Sequence, residues 1–539
     1  MQLCNLPEDI LVIVLRWCLS NYYVAANRLK RNLPLLSVCQ LWRYLATPMV
    51  YSHAFVQYGK RPGFEARHVY DPNVEEPADV AVITNLDLVT MVSGASAVKK
   101  MNIDVCYQAN PFPGWRNIIQ KVRTVATTWR VVELNVAMHP GVFSFGDDDE
   151  NVAKYTDDIA EVGDALAALV PDVRRLDCGG LNLNPIARSL YGRLAAHYAD
   201  QLQLFKSRHP ISEPLDCQFT RLRKVDISYD QVIDYQLPRM ASGELVDMSF
   251  THAPPNHSWA SFSTDSSLRM IEFTKLKKLD VSYYEVYRDN GVAVRHRDGH
   301  PWVLRFPSLE SLSISCGQDF CPLLEYAVLP PHMESIYIDV NPATFQQLAD
   351  VVLPATRRLS LSISRSSGGD PSGLPAINSL LKSARGCESL ELEIKDYQLP
   401  VVPESITCTA LTRLLVSGPT SVDTMLAFIE RMPKLRELTF DKLDLSDVQT
   451  DISIPEADED ANVEPLSTSL RVLAINYDRE RHSPDMAVAV AKYVLLRIPT
   501  MTKLIAAQTP KDPVLEFVEA YTPRYPHLDG IVLRLHGDE

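Results

Sequence analysis

One pair of histidines at helical spacing comes nearest to a metal-binding pattern in this sequence. His296 and His300 are four residues apart, which would place two imidazoles on one face of a helix, where a metal ion could bind. Asp298 and Gly299 stand between them, and this dipeptide favours a turn over a helix. We therefore interpret the segment RHRDGH as a solvent-exposed loop.

Other signatures of enzymatic chemistry are missing from the sequence. It has no nucleophile elbow, helical HExxH or phosphate loop, and the glycine-rich segment 366–373 lacks the GK[ST] ending that a phosphate loop needs. The ten cysteines form no CxxC pair, and the closest two, Cys316 and Cys321, match no common zinc pattern. We predict a protein that is not an enzyme, with no metal or cofactor and with cysteines that are small buried hydrophobic residues. A catalytic site assembled from several loops would escape this reasoning.

Length and charge narrow the class of protein. A chain of 539 residues exceeds what a single hydrophobic core supports, so several domains or a repeat array are expected. The net charge of −14 argues against nucleic-acid binding driven by phosphate contacts, and it favours protein partners. The first residues do not resemble a secretion signal, and no apolar stretch approaches the roughly 20 residues of a membrane helix. We expect a cytoplasmic or nuclear protein that is not secreted and has no membrane segment.

Apolar residues near the start of the chain recur with helical periodicity. In residues 6–18 they share one helical face, and Pro7 suits the first turn of a helix. A second helical segment is predicted within residues 33–51 around Trp42, with Pro48 closing it. A piece of about 50 residues buries only a modest share of its apolar surface, so aliphatic side chains and Trp42 are expected to remain available to a partner.

These two segments resemble the F-box family. The resemblance is carried by the string LPEDIL at residues 6–11 and, most specifically, by the Val-Cys-x-x-Trp pattern at residues 38–42. It implies docking on a Skp-family adaptor and, through it, on a cullin within a ubiquitin ligase. The adaptor-facing or domain-packing positions that it implies are Leu6, Pro7, Ile10, Leu11, Val14, Leu15, Leu36, Val38 and Trp42. The connection at residues 21–31 is longer than the family norm. A helical cap that merely covers the end of a repeat array remains an alternative.

A short template, apolar-x-x-apolar-x-apolar, recurs from about residue 98 onward. The clear copies are LRKVDIS (222–228), LKKLDVS (276–282), LESLSIS (309–315), MESIYID (333–339), CESLELE (387–393), LTRLLVS (411–417), LRELTF (435–440) and LRVLAIN (470–476). Weaker copies start near Val98, Val131, Val173, Leu245, Thr356 and Met501. The copies that start at 309 and 333, at 387 and 411, and at 411 and 435 are each 24 residues apart, inside the period of leucine-rich repeats.

This pattern resembles the leucine-rich-repeat proteins, and specifically the fungal-type F-box proteins with degenerate repeats, over most of residues 98–510. The resemblance implies an α/β fold in which a short all-α F-box-like module (1–60) and a connecting segment (61–97) precede a leucine-rich-repeat-like α/β solenoid (98–539). A parallel sheet would line the concave face. The asparagine that normally follows the strand is missing from most copies. An irregular α/β fold with several similar strands remains an alternative.

The residues between the apolar positions of each copy should point away from the core, because side chains alternate along a strand. Read across the copies, this row begins mixed and ends acidic. The target-binding positions that we predict from it are Asp226, Lys278, Asp280, Tyr337, Asp339, Arg358, Glu391 and Glu393. Acidic runs at 147–150 and 455–465 are interpreted as surface loops, with attraction of a basic partner as the alternative.

Together these features predict a substrate-recognition subunit of a Skp-adaptor and cullin ubiquitin ligase. The N-terminal module would bind the adaptor, and the solenoid would bind a target protein that the sequence does not identify. The alternative is a non-catalytic leucine-rich-repeat scaffold whose N-terminal helices only cap the solenoid.

Overall fold

Alternating apolar residues give this chain an architecture in which parallel strands predominate. The structure is a computed structural model of mixed α/β type. It describes residues 11–12, 39–59, 82–107, 111–140, 153–180, 185–207, 218–228, 239–240, 242–253, 270–283, 303–316, 323, 327–340, 353–363, 386–394, 409–446, 465–477, 482–506 and 508–535. Among these residues, eighteen strands belong to a large, mostly parallel sheet that is not closed into a barrel. The chain divides into two compact units, Met1–Ile271 and Glu272–Glu539, called unit 1 and unit 2 below.

Unit 1 combines helices with a ladder of mostly parallel strands. Its helices are α1 (Gln40–Tyr51), α2 (Leu86–Ser93), α3 (Phe112–Val125), α4 (Thr156–Leu169) and α5 (Pro185–His197), with 3-10 turns at Ala95–Ala97 and Ser242–Glu244. Its strands are β1 (His53–Tyr58), β2 (Val82–Thr84), β3 (Lys100–Tyr107), β4 (Glu133–Pro140), β5 (Arg175–Gly180), β6 (Leu204–Ser207), β7 (Gln218–Phe219), β8 (Lys224–Ser228), β9 (Arg239–Met240) and β10 (Asp247–Ala253), and β11 (Met270–Glu272) lies at the unit boundary. The ladder runs β2-β1-β3-β4-β5-β6-β8-β10, in which β2 alone is antiparallel to its neighbour.

Unit 2 continues the same design. Its helices are α6 (Val422–Arg431), α7 (Pro484–Arg497) and α8 (Lys511–Tyr521), with a 3-10 turn at Pro526–Leu528. Its strands are β12 (Lys278–Tyr283), β13 (Val303–Arg305), β14 (Ser311–Cys316), β15 (Ala327–Val328), β16 (His332–Val340), β17 (Ala355–Ile363), β18 (Ser389–Ile394), β19 (Arg413–Ser421), β20 (Glu437–Asp444), β21 (Val472–Tyr477), β22 (Lys503–Ala506) and β23 (Val532–Leu535). The ladder runs β12-β14-β16-β17-β18-β19-β20-β21-β22-β23, and every described pairing in it is parallel.

Every copy of the sequence template, clear or weak, corresponds to a strand of these two ladders. The first residue of most copies is buried just before its strand, as Leu276 and Leu411 illustrate, whereas Met333 and Thr356 are buried within β16 and β17. The second apolar residues are registered side by side, so that Leu312 lies beside Ile336 and Ile336 beside Leu359. The prediction of strands at these positions is confirmed.

Described helices pack on part of the apolar face of each ladder. In unit 1 the hydroxyl of Tyr191 in α5 accepts a hydrogen bond from the amide of Met138 at 3.1 Å and donates one to the carbonyl of Gly179 at 2.6 Å. In unit 2 the ring of Phe428 in α6 lies 6.5 Å, between ring centroids, from that of Phe440 in β20. The opposite face of each ladder, called the polar face below, carries the residues between the apolar positions.

The N-terminal region differs from the prediction of an all-helical module at 1–60. Residues 53–58 form β1, which pairs with β3, because the sequence HAFVQY buries alternate side chains, as a strand does. Helix α1 also continues past Pro48 to Tyr51, so Pro48 does not close it as the sequence predicted. The predicted connecting segment 61–97 contains β2 and α2. None of the described helices is both long and apolar enough to cross a lipid bilayer.

Candidate functional site

The Val-Cys-x-x-Trp pattern corresponds to the start of helix α1. Cys39 is the N-cap residue, with an extended backbone, and its Sγ accepts a hydrogen bond from the backbone amide of Trp42 at 3.4 Å. A side chain at the N-cap that accepts from the third helical residue satisfies one of the amides that a helix start leaves unpaired. The three-residue spacing of the pattern is therefore the spacing of a helix cap.

Trp42 belongs to a small core that the N-terminal segments make for themselves. It is only 5% exposed and clusters with Leu11, Leu45 and Ala46, and Cys39 packs against this group. The expectation that Trp42 stays open to a partner is therefore wrong for the chain by itself, since Leu11 and the next helical turn cover its indole. Leu11 and Trp42 thus pack within one buried cluster of the chain. Leu6, Pro7, Ile10, Val14, Leu15, Leu36 and Val38 lie outside the described residues.

The exposed apolar side chains of this region lie on the other side of α1 and on α2. Tyr44 is 74% exposed and Leu41 lies at 36%, while Met91 and Val92 are exposed on α2, which packs against α1. Sequence reasoning missed these four residues. For Leu41 and Tyr44, the signal that could have identified them is their position off the stripe that Trp42 shares with the residues three and four positions later.

The outer edge of β1 is closed by polar contacts as well as by β2. Asn85, which is buried, accepts a hydrogen bond from the Phe55 amide at 2.8 Å with its Oδ1 and donates one to the His53 carbonyl at 3.0 Å with its Nδ2. Thr84 adds a hydroxyl bond to the Phe55 carbonyl at 2.9 Å. The side chain of Asn85 thus replaces a strand at this edge, which would otherwise leave backbone groups unpaired.

The polar face of unit 1 neutralises its own charges. Lys206 and Asp226 are register partners on β6 and β8, and the Nζ of Lys206 lies 2.7 Å from Oδ2 of Asp226. Lys224 pairs in the same way with Asp247 on β10. Asp226, one of the predicted target-binding residues, is therefore one half of a cross-strand ion pair.

The polar face of unit 2 brings the other predicted target-binding residues together in three adjacent rows. The rows, each read across β12, β14, β16, β17 and β18, are Lys278, Ser311, Ser335, Arg358 and Ser389; Asp280, Ser313, Tyr337, Ser360 and Glu391; and Ser282, Ser315, Asp339, Ser362 and Glu393. Serines occupy many of the intervening positions. Sequence reasoning placed the charged members and Tyr337 on one face but did not weigh the serines.

Charges in these rows are arranged differently from those of unit 1. Arg358 lies 3.5 Å from Glu334, between Nη2 and Oε1, at the start of the strands, and its neighbour Arg357 bonds Glu388 at 2.8 Å. The hydrogen bond that Arg357 donates to Glu388 raises the pKa of Arg357. Within the described part of the chain, Lys278 and Asp280 take part in no ion pair.

Carboxylates nearer the strand ends are bonded by serines. Ser315 donates to Oδ2 of Asp339 and Ser360 donates to Oε2 of Glu391, each at 3.2 Å. The Oδ1 of Asp339 is shielded from solvent and has no hydrogen-bond donor. Tyr337 stands in the middle row, 38% exposed. The arrangement can bind another polar surface.

The described residues contain no cluster of metal-ligating side chains. Of the described cysteines, Cys106, Cys178, Cys316 and Cys387 are buried and Cys39 is partly buried. Burial raises the pKa of the Cys178 thiol well above its usual value, which keeps it protonated and unreactive. His296, His300, Cys321, the glycine-rich segment 366–373 and the acidic residues 147–150 and 455–464 lie outside the described residues.

Comparisons with known proteins give no family for this chain. No protein-family model matches the sequence, and a search of curated proteins finds no significant match.

Proposed function

We propose that this chain is a non-catalytic receptor that joins two protein partners within a ubiquitin ligase. Its N-terminal module would bind a Skp-family adaptor, and through it a cullin, while the polar face of unit 2 would hold a target protein. In this proposal the parallel ladders form a degenerate leucine-rich-repeat solenoid whose polar face is concave. The receptor contributes effective concentration, since holding the target beside the transfer machinery replaces a bimolecular encounter.

The observation that carries the proposal is the organisation of helix α1. A cap at the spacing of the F-box pattern fixes its start, Trp42 is buried inward against Leu11, and Leu41 and Tyr44 remain exposed outward. One face of this helix packs in a small core within the chain, and its opposite face is apolar and exposed. Such a helix suits attachment to another protein, because burying each large apolar side chain in an interface is worth roughly 1.5 to 3 kcal/mol.

A pull-down with a recombinant Skp-family adaptor tests this proposal. The full chain should retain the adaptor, whereas a Leu41→Asp, Tyr44→Ala variant should lose it because both changes remove exposed apolar contacts. Val532→Ala, at an exposed apolar site in unit 2, is the control and should behave as wild type.

The double variant Leu11→Asp, Trp42→Ala removes the core beneath the same surface, and it should lose the adaptor through loss of the module's fold. Circular dichroism and melting of each variant separate the two causes. Equal adaptor recovery by wild type and by both double variants would sink the receptor proposal.

A second candidate function is favoured by the closed edge at β1. Helix α1 leads through Ser52 alone into β1, and the Ser52 carbonyl accepts hydrogen bonds from the amides of Lys99 and Lys100 at 2.8 and 3.1 Å. Together with Asn85, this arrangement suits a cap that ends the sheet, as repeat arrays require. The chain would then be a binding scaffold without a ligase.

Adaptor binding by the intact chain separates the two candidates. A receptor should retain the adaptor, whereas a scaffold whose N-terminal helices only cap the ladder should never retain it. For the scaffold, removal of residues 1–60, which takes away α1 and β1, should also clearly lower the melting temperature of the remaining chain.

A further inference from the structure

The polar face of unit 2 changes character at its C-terminal end. Its first two rows carry serines, charged residues and Tyr337 on β12 to β18, and they continue by register across β19 and β20 to β23. On the last three strands both rows are mostly apolar. These six positions are called the C-terminal patch below: Val472, Lys503 and Val532 in the first row, and Ala474, Ile505 and Arg534 in the second.

The apolar side chains of the patch do not belong to the hydrophobic core. The core of these strands is supplied by the intervening residues, such as Leu473 and Leu504, which are fully buried. Side chains alternate along a strand, so the patch residues point to the opposite side of the sheet. Val532 is 52% exposed, and the other apolar members are partly exposed. Exposed apolar surface that extends over neighbouring strands commonly marks an interaction site.

Two cations stand among these apolar side chains without acidic partners. Lys503 and Arg534 take part in no ion pair within the described residues, and neither row of the patch contains an acidic residue. Unit 1 arranges its cations differently, since Lys206 is a register partner of Asp226 and pairs with it across the strands. On the C-terminal patch, the negative charge that would neutralise the cations is left for a partner to supply.

These charges distinguish among the possible occupants of the patch. A second copy of this chain is disfavoured, because two such patches facing each other would bring their cations together with no carboxylate between them. Nucleic acid is disfavoured as well, because the patch has no aromatic ring on which a base could stack, and the net charge of the chain is −14. An acidic polypeptide that also carries apolar side chains matches both kinds of residue in the patch.

The spacing of the patch residues indicates how such a polypeptide would be arranged. Strands β22 and β23 each place one cation and one apolar side chain two residues apart, Lys503 with Ile505 and Arg534 with Val532. Side chains two residues apart on a strand share a face and are separated by about 6.6 Å. An extended polypeptide has the same repeat, so its alternate side chains can match this order.

We propose that the C-terminal patch binds an extended polypeptide segment in which acidic and large aliphatic residues occupy alternate positions on one face, as in Asp-x-Leu-x-Asp. The carboxylates would pair with Lys503 and Arg534, and the aliphatic side chains would cover Ile505 and Val532. The inference rests on the proposed function in taking the polar face of unit 2 as the target site. It adds the chemistry of the target.

Fluorescence anisotropy with the full chain and a labelled probe peptide, GSDSLSDSLSG, tests this inference. The probe should bind the wild type. Lys503→Gln with Arg534→Gln should weaken binding about five- to tenfold, since each exposed ion pair contributes modestly. Val532→Ser should weaken binding about fivefold, because it removes an exposed apolar contact. Ile505→Thr should act in the same direction while it keeps the branched shape that strands favour.

Two further peptides test the charge and the spacing. GSNSLSNSLSG lacks the carboxylates and should bind the wild type more weakly than the probe does. The Lys503→Gln, Arg534→Gln variant should bind these two peptides alike, because the cations that distinguish them are gone. GSDLSSDLSSG has the composition of the probe but places aspartate and leucine on opposite faces of an extended chain. It should bind the wild type more weakly than the probe.

Matched controls separate the patch from charge and stability in general. Arg123→Gln with Lys434→Gln removes the same charges from exposed sites outside the patch and should leave binding unchanged. Thermal melting should show that every variant remains folded. The inference is overturned if the probe fails to bind, if the rearranged peptide binds as tightly, or if the control pair weakens binding as much as the patch pair. A dimer in sedimentation that Val532→Ser dissociates would identify a second copy as the occupant and would also overturn it.

The adaptor pull-down distinguishes failure of this inference from failure of the proposed function. All variants of the C-terminal patch lie far along the chain from α1 and should retain the adaptor. Retention of the adaptor with no specific probe binding would refute the acidic target alone. Failure of the wild type to retain the adaptor would refute the receptor, whatever the probe does.

Discussion

The thiol of Cys39 accepts a hydrogen bond from the backbone amide of Trp42, so the two most distinctive residues of the N-terminal pattern are joined directly. The bond fixes where α1 begins, and this start sets the helix phase that turns Trp42 toward Leu11. The same phase exposes Leu41 and Tyr44. A local cap therefore decides which side chains of this helix are structural and which can reach a partner.

Substitution of Cys39 should reveal this cap. Cys39→Ala removes the acceptor and should cost about 1 kcal/mol of local helix stability, which corresponds to roughly fivefold faster amide exchange in α1. Cys39→Ser should match or exceed the wild type, because serine is among the preferred N-cap residues. Hydrogen exchange of the peptide that covers residues 39–51 measures both. Equal exchange in the alanine and serine variants would show that the cysteine acts by packing alone.

Asn85 provides a second prediction, at the edge of β1. Asn85→Ala leaves the Phe55 amide and the His53 carbonyl without partners, and we expect a loss of about 2 to 3 kcal/mol because unpaired buried groups keep their full desolvation cost. The expected result is a lower denaturation midpoint with rapid exchange of the Phe55 amide.

Asn102→Ala is the matched control for this edge. Asn102 lies on the polar face and accepts one bond from Asn135 at 2.9 Å, so its loss should cost less than about 1 kcal/mol. A control as destabilising as Asn85→Ala would contradict a special role for the edge.

The sequence predicted the ladders well because each strand repeats the same local rule. Leucine or an equivalent residue at the template positions is enough to bury one face, and matching positions then align in register, as Asp280 and Tyr337 do through Ser313. Strand β1 was missed because Tyr51 and Ala54 stand where the clear copies have aliphatic residues, although both are buried. Strand β6 was missed because Ser207 stands at the third apolar position, after Leu202 and Phe205, and the partner Lys206 that pairs with Asp226 was missed with it.

Burial of Trp42 could not be predicted from periodicity. Trp42 packs in a cluster with Leu11, which lies about thirty positions earlier in the chain. Helical spacing tells which side chains share a face, but it does not tell which of two faces meets another segment. The unpaired oxygen of Asp339 was equally out of reach, since it depends on the positions of all its neighbours.

Close packing of α3 on β1 gives a third prediction. A Cβ at Gly114 would lie 2.5 Å from Cδ1 of the Tyr58 ring, which is itself buried. Gly114→Ala gains about 1 kcal/mol of helix propensity but should lose more through overpacking, for a net cost of about 1 to 2 kcal/mol. Chemical denaturation of the full chain measures this change in the free energy of unfolding.

A second substitution tests the cause of that cost. Tyr58→Leu should relieve the clash, so the double variant should be more stable than the sum of the single changes implies. Gly179→Ala is the control, since its nearest neighbour would be the Ala137 Cβ at 4.0 Å, and it should be nearly neutral. Additive effects of Gly114→Ala and Tyr58→Leu would contradict the proposed contact.

The pair between α4 and α5 predicts a dependence of stability on pH. Arg193 donates hydrogen bonds from Nε and Nη2 to the two carboxylate oxygens of Asp164, at 3.0 and 2.7 Å. These hydrogen bonds lower the pKa of Asp164. A carboxylate whose pKa is lower in the folded state stabilises the fold above its unfolded pKa, near 3.9, and loses that contribution as pH falls through the folded value. The pair is well exposed, so its contribution should not exceed about 1 kcal/mol.

Arg193→Gln should therefore destabilise the chain slightly at pH 6 to 7, and the difference from wild type should shrink below about pH 4 as Asp164 becomes protonated. Denaturant titrations of both proteins across this range measure the difference directly, and added salt should reduce it at neutral pH.

Arg116→Gln is not a suitable control, because Arg116 joins α3 to α4 through Asp158 and Glu161 in the same manner. Arg534→Gln in unit 2 serves better, because Arg534 is exposed and takes part in no ion pair within the described residues. A difference between Arg193→Gln and wild type that stays constant from neutral pH to pH 3 would mean that Arg193 stabilises by packing its stem over Gly163, where a Cβ would lie 2.9 Å from the arginine Cδ.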